Sequence, residues 1–232
     1  SAGYCEFSPD GGWRLHLDGL TVDRLRVDRE LKQVLPGRLK KTLGELNPTG
    51  PMNLRGMFDL ARGGAPDDPI CSQWDLAIGL SQVSVDCGVR LENIHGSLTL
   101  AGTFNGANLE SRGELMLDSV NYKDYQFTEV MGPLWIDDQE VLLGSWVGQH
   151  ENQTLARAGR PQTARLRSLS GKLLGGNIYG DAWVALGSRP RYSVRATLAD
   201  GSLTRCAREV VGGRQSLKGK IFGNVELYGS GR

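Results

Sequence analysis

The sequence predicts a mainly β protein: an elongated, curved antiparallel sheet, a half-open trough, with two short amphipathic α-helices. Three observations predict it. Apolar and polar residues alternate through much of the chain, the period of strands with one buried face. The 32 glycines are scattered among those runs rather than pooled, as turn-rich sheets require. An apolar-x-Gly-x-apolar unit also recurs, centred on Gly56, Gly96, Gly132, Gly171 and Gly219, at spacings of 40, 36, 39 and 48 residues. A β-sandwich is the alternative arrangement of the same strands.

The alternation is clean at Trp13–Leu20, Leu115–Asp118, Ala182–Leu186, Tyr192–Leu198 and Asn224–Tyr228. Asp10-Gly11, Asp18-Gly19 and Asn105-Gly106 supply the positive φ of tight hairpins, so a meander is expected. Gln73–Val85 reads as one long strand. In the recurring unit we expect the glycine on the outward face, where it lets the strand bend, with its apolar neighbours pointing the other way.

Two segments follow the helical period instead. In Arg29–Leu46, Leu31, Val34, Leu35, Leu39, Leu43 and Leu46 recur at three-to-four spacing, with Pro36 splitting the run into two helices and Asn47-Pro48 ending it. The basic face would suit an anionic membrane surface, but the ordinary leucine stripe suits a helix closing a sheet end. Ser202–Val211 is the second, with Ser202 as N-cap, Leu203, Cys206, Ala207 and Val210 on one face, and Gly212-Gly213 as the stop.

Gly148–Thr163 has no apolar period and reads as a linker or long loop. It divides a β-rich module at 1–147, holding the helix near 29–46, from a β-repeat segment at 164–232. The sequon at Asn152-Gln-Thr154 marks this loop as exposed.

Composition excludes several functions. With 27 basic and 26 acidic residues the net charge is +1, so no positive field exists to hold nucleic acid. No apolar run approaches the ~18 residues of a spanning helix, and Ser1-Ala2-Gly3 does not open a signal peptide. The chain reads as a soluble fragment, because Lys218–Arg232 stops just after a strand-like run. Cys5, Cys71, Cys87 and Cys206 have neither C-x-x-C spacing nor a nearby histidine, so no zinc site is expected. On one strand Cys71 and Cys87 would stand about 50 Å apart, beyond disulfide reach, which leaves small buried thiols. No cofactor is implied.

Enzymatic signatures such as G-x-S-x-G, G-x-G-x-x-G, Walker A and H-E-x-x-H do not occur, and His16, His95 and His150 stand alone. Asp137-Asp138-Gln139 reads as a turn, since adjacent strand carboxylates would face opposite sides. We therefore expect a protein that is not an enzyme. A curved sheet with one apolar face must hide it against helices, a second sheet or something other than protein. Left uncovered, it would form a trough that acyl chains fill at about 25 cal/mol per Å².

Three stretches resemble the AsmA-like proteins of double-membrane bacteria, the AsmA, TamB and YdbH group. They are Val34–Gly50 running into Met52-Asn-Leu-Arg-Gly-Met-Phe58, then Leu91–Gly102 with Gly113–Ser119 and Gly132–Asp137, and finally Leu217–Gly231. The resemblance implies a repeating β-groove with an apolar interior that conducts phospholipid between membranes. It implies a periplasmic or cell-envelope location, inner-membrane anchorage through a segment outside this chain, and contacts with other envelope proteins. It carries no catalytic motif.

Only an apolar lining maps onto residues. By parity we assign Leu15, Leu17, Leu98, Leu100, Leu115, Leu117, Val184, Leu186, Val194, Leu198, Val225 and Leu227 as lipid-binding, an assignment that a one-residue slip in register would invert. A charge at Leu117 or Val184 should then abolish lipid retention and spare the fold. The rival is a non-catalytic structural or adhesive β module of a large envelope protein.

Overall fold

A computed structural model of the chain describes residues 2–34, 37–86, 89–187, 189–211 and 217–230. The chain runs β1 (Ala2–Phe7), β2 (Trp13–Leu25), α1 (Arg29–Val34), α2 (Gly37–Leu46), β3 (Met52–Arg62), β4 (Ile70–Asp86) and β5 (Arg90–Phe104). It continues through β6 (Leu109–Tyr122), β7 (Tyr125–Asp137), β8 (Glu140–Leu143), α3 (Ser145–Arg157) and β9 (Leu169–Leu173). β10 (Gly176–Ala185), β11 (Arg191–Ser202), α4 (Leu203–Val211) and β12 (Lys220–Ser230) complete it.

All these strands belong to one 12-stranded sheet, and every pairing is antiparallel. The strands follow chain order from β1 to β8 and then β10, β11 and β12, so the mainly β, elongated-sheet expectation holds and the sandwich does not. Among the described strands β1 and β12 are the edges. β8 and β9 share one lane between β7 and β10, β8 pairing Leu134–Ile136 of β7 and β9 pairing Thr128 and Met131.

The helices of 29–46 and of 203–211 form as expected. Both insert at the same end of the sheet, one between β2 and β3 and the other between β11 and β12, where α2 meets β4 and α4 meets β11. The Arg205 amide donates to Ser202 Oγ at 3.4 Å, as the N-cap reading requires. The expected break at Pro36, the stop at Gly212-Gly213 and Cys87 lie outside the described residues.

Asp10-Gly11 and Asn105-Gly106 make turns, with φ of 89° and 87° at the glycines. Asp18-Gly19 does not: it lies inside β2 as a bulge, where the pairing to β3 shifts between Leu17 and Leu20. Asp137 makes the predicted turn, its Oδ1 accepting the amides of Gln139 and Glu140 at 2.6 and 2.7 Å. Burial pushes its carboxyl above the usual carboxylate range.

The recurring glycines acquire a structural meaning. Gly56, Gly96, Gly132 and Gly171 fall in β3, β5, β7 and β9, every second strand, so the period is one hairpin of the meander. The outward-face expectation is corrected, because residues two apart on a strand share a face: Gly56 pairs with Leu76 on the side of Leu54 and Phe58. At Gly96, φ is +133° and a Cβ would come within 2.4 Å of Met116 O, so both the conformation and the close approach need glycine.

Two further expectations are overturned. The linker at 148–163 is mostly helix α3, and its sequon residue is not a loop tip: Asn152 exchanges two hydrogen bonds with the backbone of Ala164, at 2.9 and 3.0 Å. Nor does the sheet break there, since β8 and β9 both join β7 to β10. Cys5 and Cys71 are exposed free thiols and Cys206 is half-buried, not the buried thiols expected; Cys5 lies on an edge strand with one neighbour only.

Candidate functional site: the apolar face of the sheet

Directly paired residues share a face, so the register sorts the sheet into two sides. One row reads Leu20, Gly56, Leu76, Leu100, Gly113, Leu134, Leu143, Ala182, Val194 and Leu227, each directly opposite the next across ten strands. At ~4.8 Å per strand its contour is about 43 Å. A second row runs Val22, Leu54, Ile78, Leu98, Leu115 and Gly132. A third runs Leu17, Phe58, Trp74, Gly102, Ser111, Ile136, Val141, Val184, Tyr192 and Gly229. Among the paired residues of this face the one charge is Arg62, at the rim beside Trp13.

The opposite face has the other chemistry. One of its rows contains Met57, Asp75, Ala101, Arg112 and Trp135, and another Arg55, Ala77, Thr99, Glu114 and Pro133. Ion pairs lie across it, Arg112 to Glu151 at 2.8 Å and Arg167 to Glu114 at 2.7 Å. Here too Asp59 sits, 8% exposed, with His16 Nδ1 at 2.8 Å, Arg14 at 3.4 Å and the exposed Tyr4 ring stacked on His16. The hydrogen bond to His16 holds the Asp59 carboxyl below the usual carboxylate range against the opposing effect of its burial.

The expected lining residues come together. Leu15, Leu17, Leu98, Leu100, Leu115, Leu117, Val184, Val194, Leu198, Val225 and Leu227 all lie on the apolar face. Leu186 follows the end of β10, its amide bonded to Gln139 O, and is not in the ladder. The parity reading missed Phe58, Trp74, Ile78 and Leu134, which complete the same rows and which the continuing alternation of β3, β4 and β7 could have supplied.

Burial along this face is uneven. Val83, Ile94, Leu117 and Val120 are buried in a cluster with Leu80, against which Met52, Leu98, Phe127 and Val130 pack. The positive φ angles of Gln82, Asn93 and Glu129 interrupt β4, β5 and β7 beside this cluster, where adjacent ladders change register. Such bulges curl a sheet. Toward β12 the face opens: Val194 is half-buried, and Val225 and Leu227 are 51% and 43% exposed. Among the described residues no helix is long and apolar enough to cross a membrane.

Comparison with protein-family models, curated proteins and solved structures finds no match to this chain.

Proposed function

We propose that this chain is a segment of an AsmA-like cell-envelope protein that binds phospholipid acyl chains along its apolar face and passes them between membranes. The observation that carries this reading is the uncharged row from Leu20 to Leu227, ten strands long on an open sheet. An acyl chain laid along it removes apolar surface on both partners, at about 0.8 kcal/mol per buried CH₂. The headgroup stays in water at the mouth. In this reading the segment works in the periplasm or cell envelope, and membrane contact and inner-membrane anchorage come through parts outside this chain.

One observation favours the rival structural module: the β4–β7 stretch already buries its own side chains, with Val83 2% exposed. Native mass spectrometry of the gently purified protein, followed by organic extraction, separates the two. Phospholipid at reproducible stoichiometry, lost in Val184→Asp with circular dichroism unchanged, is the expected result. A clean apo mass from folded protein would assign the face to a structural role. Leu117 is unsuited to this test, because it is 8% exposed within the cluster and a charge there would be buried unpaired.

A further inference from the structure

α3 lies on the polar side of the sheet. Trp135, Leu142 and Trp183, paired in one row, meet Trp146 and Val147 of the helix. Between α3 and β10 a cleft of about 460 Å³ remains, within the size range of small-molecule sites. Its apolar walls are Trp146, Trp183 and Leu142. Gln149, His150 and Gln153 of the helix and Ser193 of β11 supply its polar groups. Positions 146, 149, 150 and 153 recur at three-to-four spacing and therefore share one helical face.

The charges around the cleft decide its ligand. Arg195 lies 5.0 Å from the Trp146 ring centre and Arg191 5.9 Å from that of Trp183, so the aromatic walls already carry guanidinium groups that repel a cationic guest. Glu140 also lines the cleft and accepts the Trp183 indole N–H at 2.5 Å, which disfavours an anion. Acyl chains would offer no hydrogen-bond partner to the amides of Gln149 and Gln153 or the Ser193 hydroxyl. A pyranose fits: its C–H faces pack on indole, and its vicinal hydroxyls both donate to and accept from glutamine amides.

We propose that the α3–β10 cleft is a binding site for a neutral pyranose unit of a glycan, on the face opposite the acyl trough. Tryptophan fluorescence and saturation-transfer NMR with maltotriose, mannotriose and triacetylchitotriose test it, with phosphatidylethanolamine–phosphatidylglycerol vesicles as comparison. At least one sugar should bind saturably, with affinity lowered tenfold or more by the double variant Gln149→Ala, Gln153→Ala, and less by Trp146→Phe. Val184→Asp should leave that binding intact, which separates this site from the trough. Absence of a saturable response to all three sugars overturns the proposal, as does wild-type affinity in the double variant or a response to vesicles alone.

Discussion

At Asp59 a nearly buried carboxylate on the polar face is held by two residues of the neighbouring strand, His16 and Arg14. The pairing joins β2 to β3, and Tyr4 on His16 extends it to β1. Because the folded pKa is depressed, the unfolded chain binds this proton more readily. The stabilisation is present above the carboxyl's ordinary range and disappears as pH falls through the folded value. Asp59→Asn should cost about 1–3 kcal/mol at neutral pH and flatten the acid side of the stability curve, read by urea denaturation across pH. An unchanged midpoint and acid limb would mean that the cluster is ornamental.

Among the elements, β12 is the longer of the two edge strands. Its 11 residues pair, among the described residues, only with β11, which leaves a row of backbone donors and acceptors open. Phe222 and Tyr228 are 66% and 84% exposed. A long edge of this composition templates pairing with another strand. Tyr228→Lys places a charge there without touching the apolar face, since Tyr228 pairs with Ser193 on the polar side. It should reduce concentration-dependent association, measured by light scattering; equal association in both proteins would place the contact elsewhere. α3 differs in that its stripe of Trp146, Val147 and His150 meets the sheet, His150 lying 4.0 Å from Trp135. That stripe is short and interrupted by glutamines, which is why 148–163 reads as a loop until the sheet beneath it is known.

For the whole molecule, the central consequence is continuity. β8 and β9 fill one lane on either side of the α3 excursion, so hydrogen bonding crosses the place where composition suggests a boundary. A protease site inserted between Arg160 and Pro161, in an exposed segment, should be cut without separating the halves. The nicked protein should elute as one species on size exclusion and unfold in one transition. Two separating fragments would show that the lane is too weak to unite the sheet.

What the sequence determined by itself is local. Period-two alternation specifies strands and places residues two apart on one face. Three-to-four apolar spacing specifies the helices of 29–46 and 203–211, and Asp-Gly and Asn-Gly pairs specify turns at β1–β2 and β5–β6. For that reason the apolar face from Leu15 to Leu227 was legible as a parity set. Tertiary structure alone decided which strands are neighbours, because a strand carries the same pattern whatever pairs with it. Asp18-Gly19 became a bulge because β3 pairs on both sides of it, and Leu117 became buried because Leu80, Val83, Ile94 and Val120 form one cluster with it. The α3 cleft exists because β10 places Trp183 beside Trp146 of α3, 37 residues earlier in the chain.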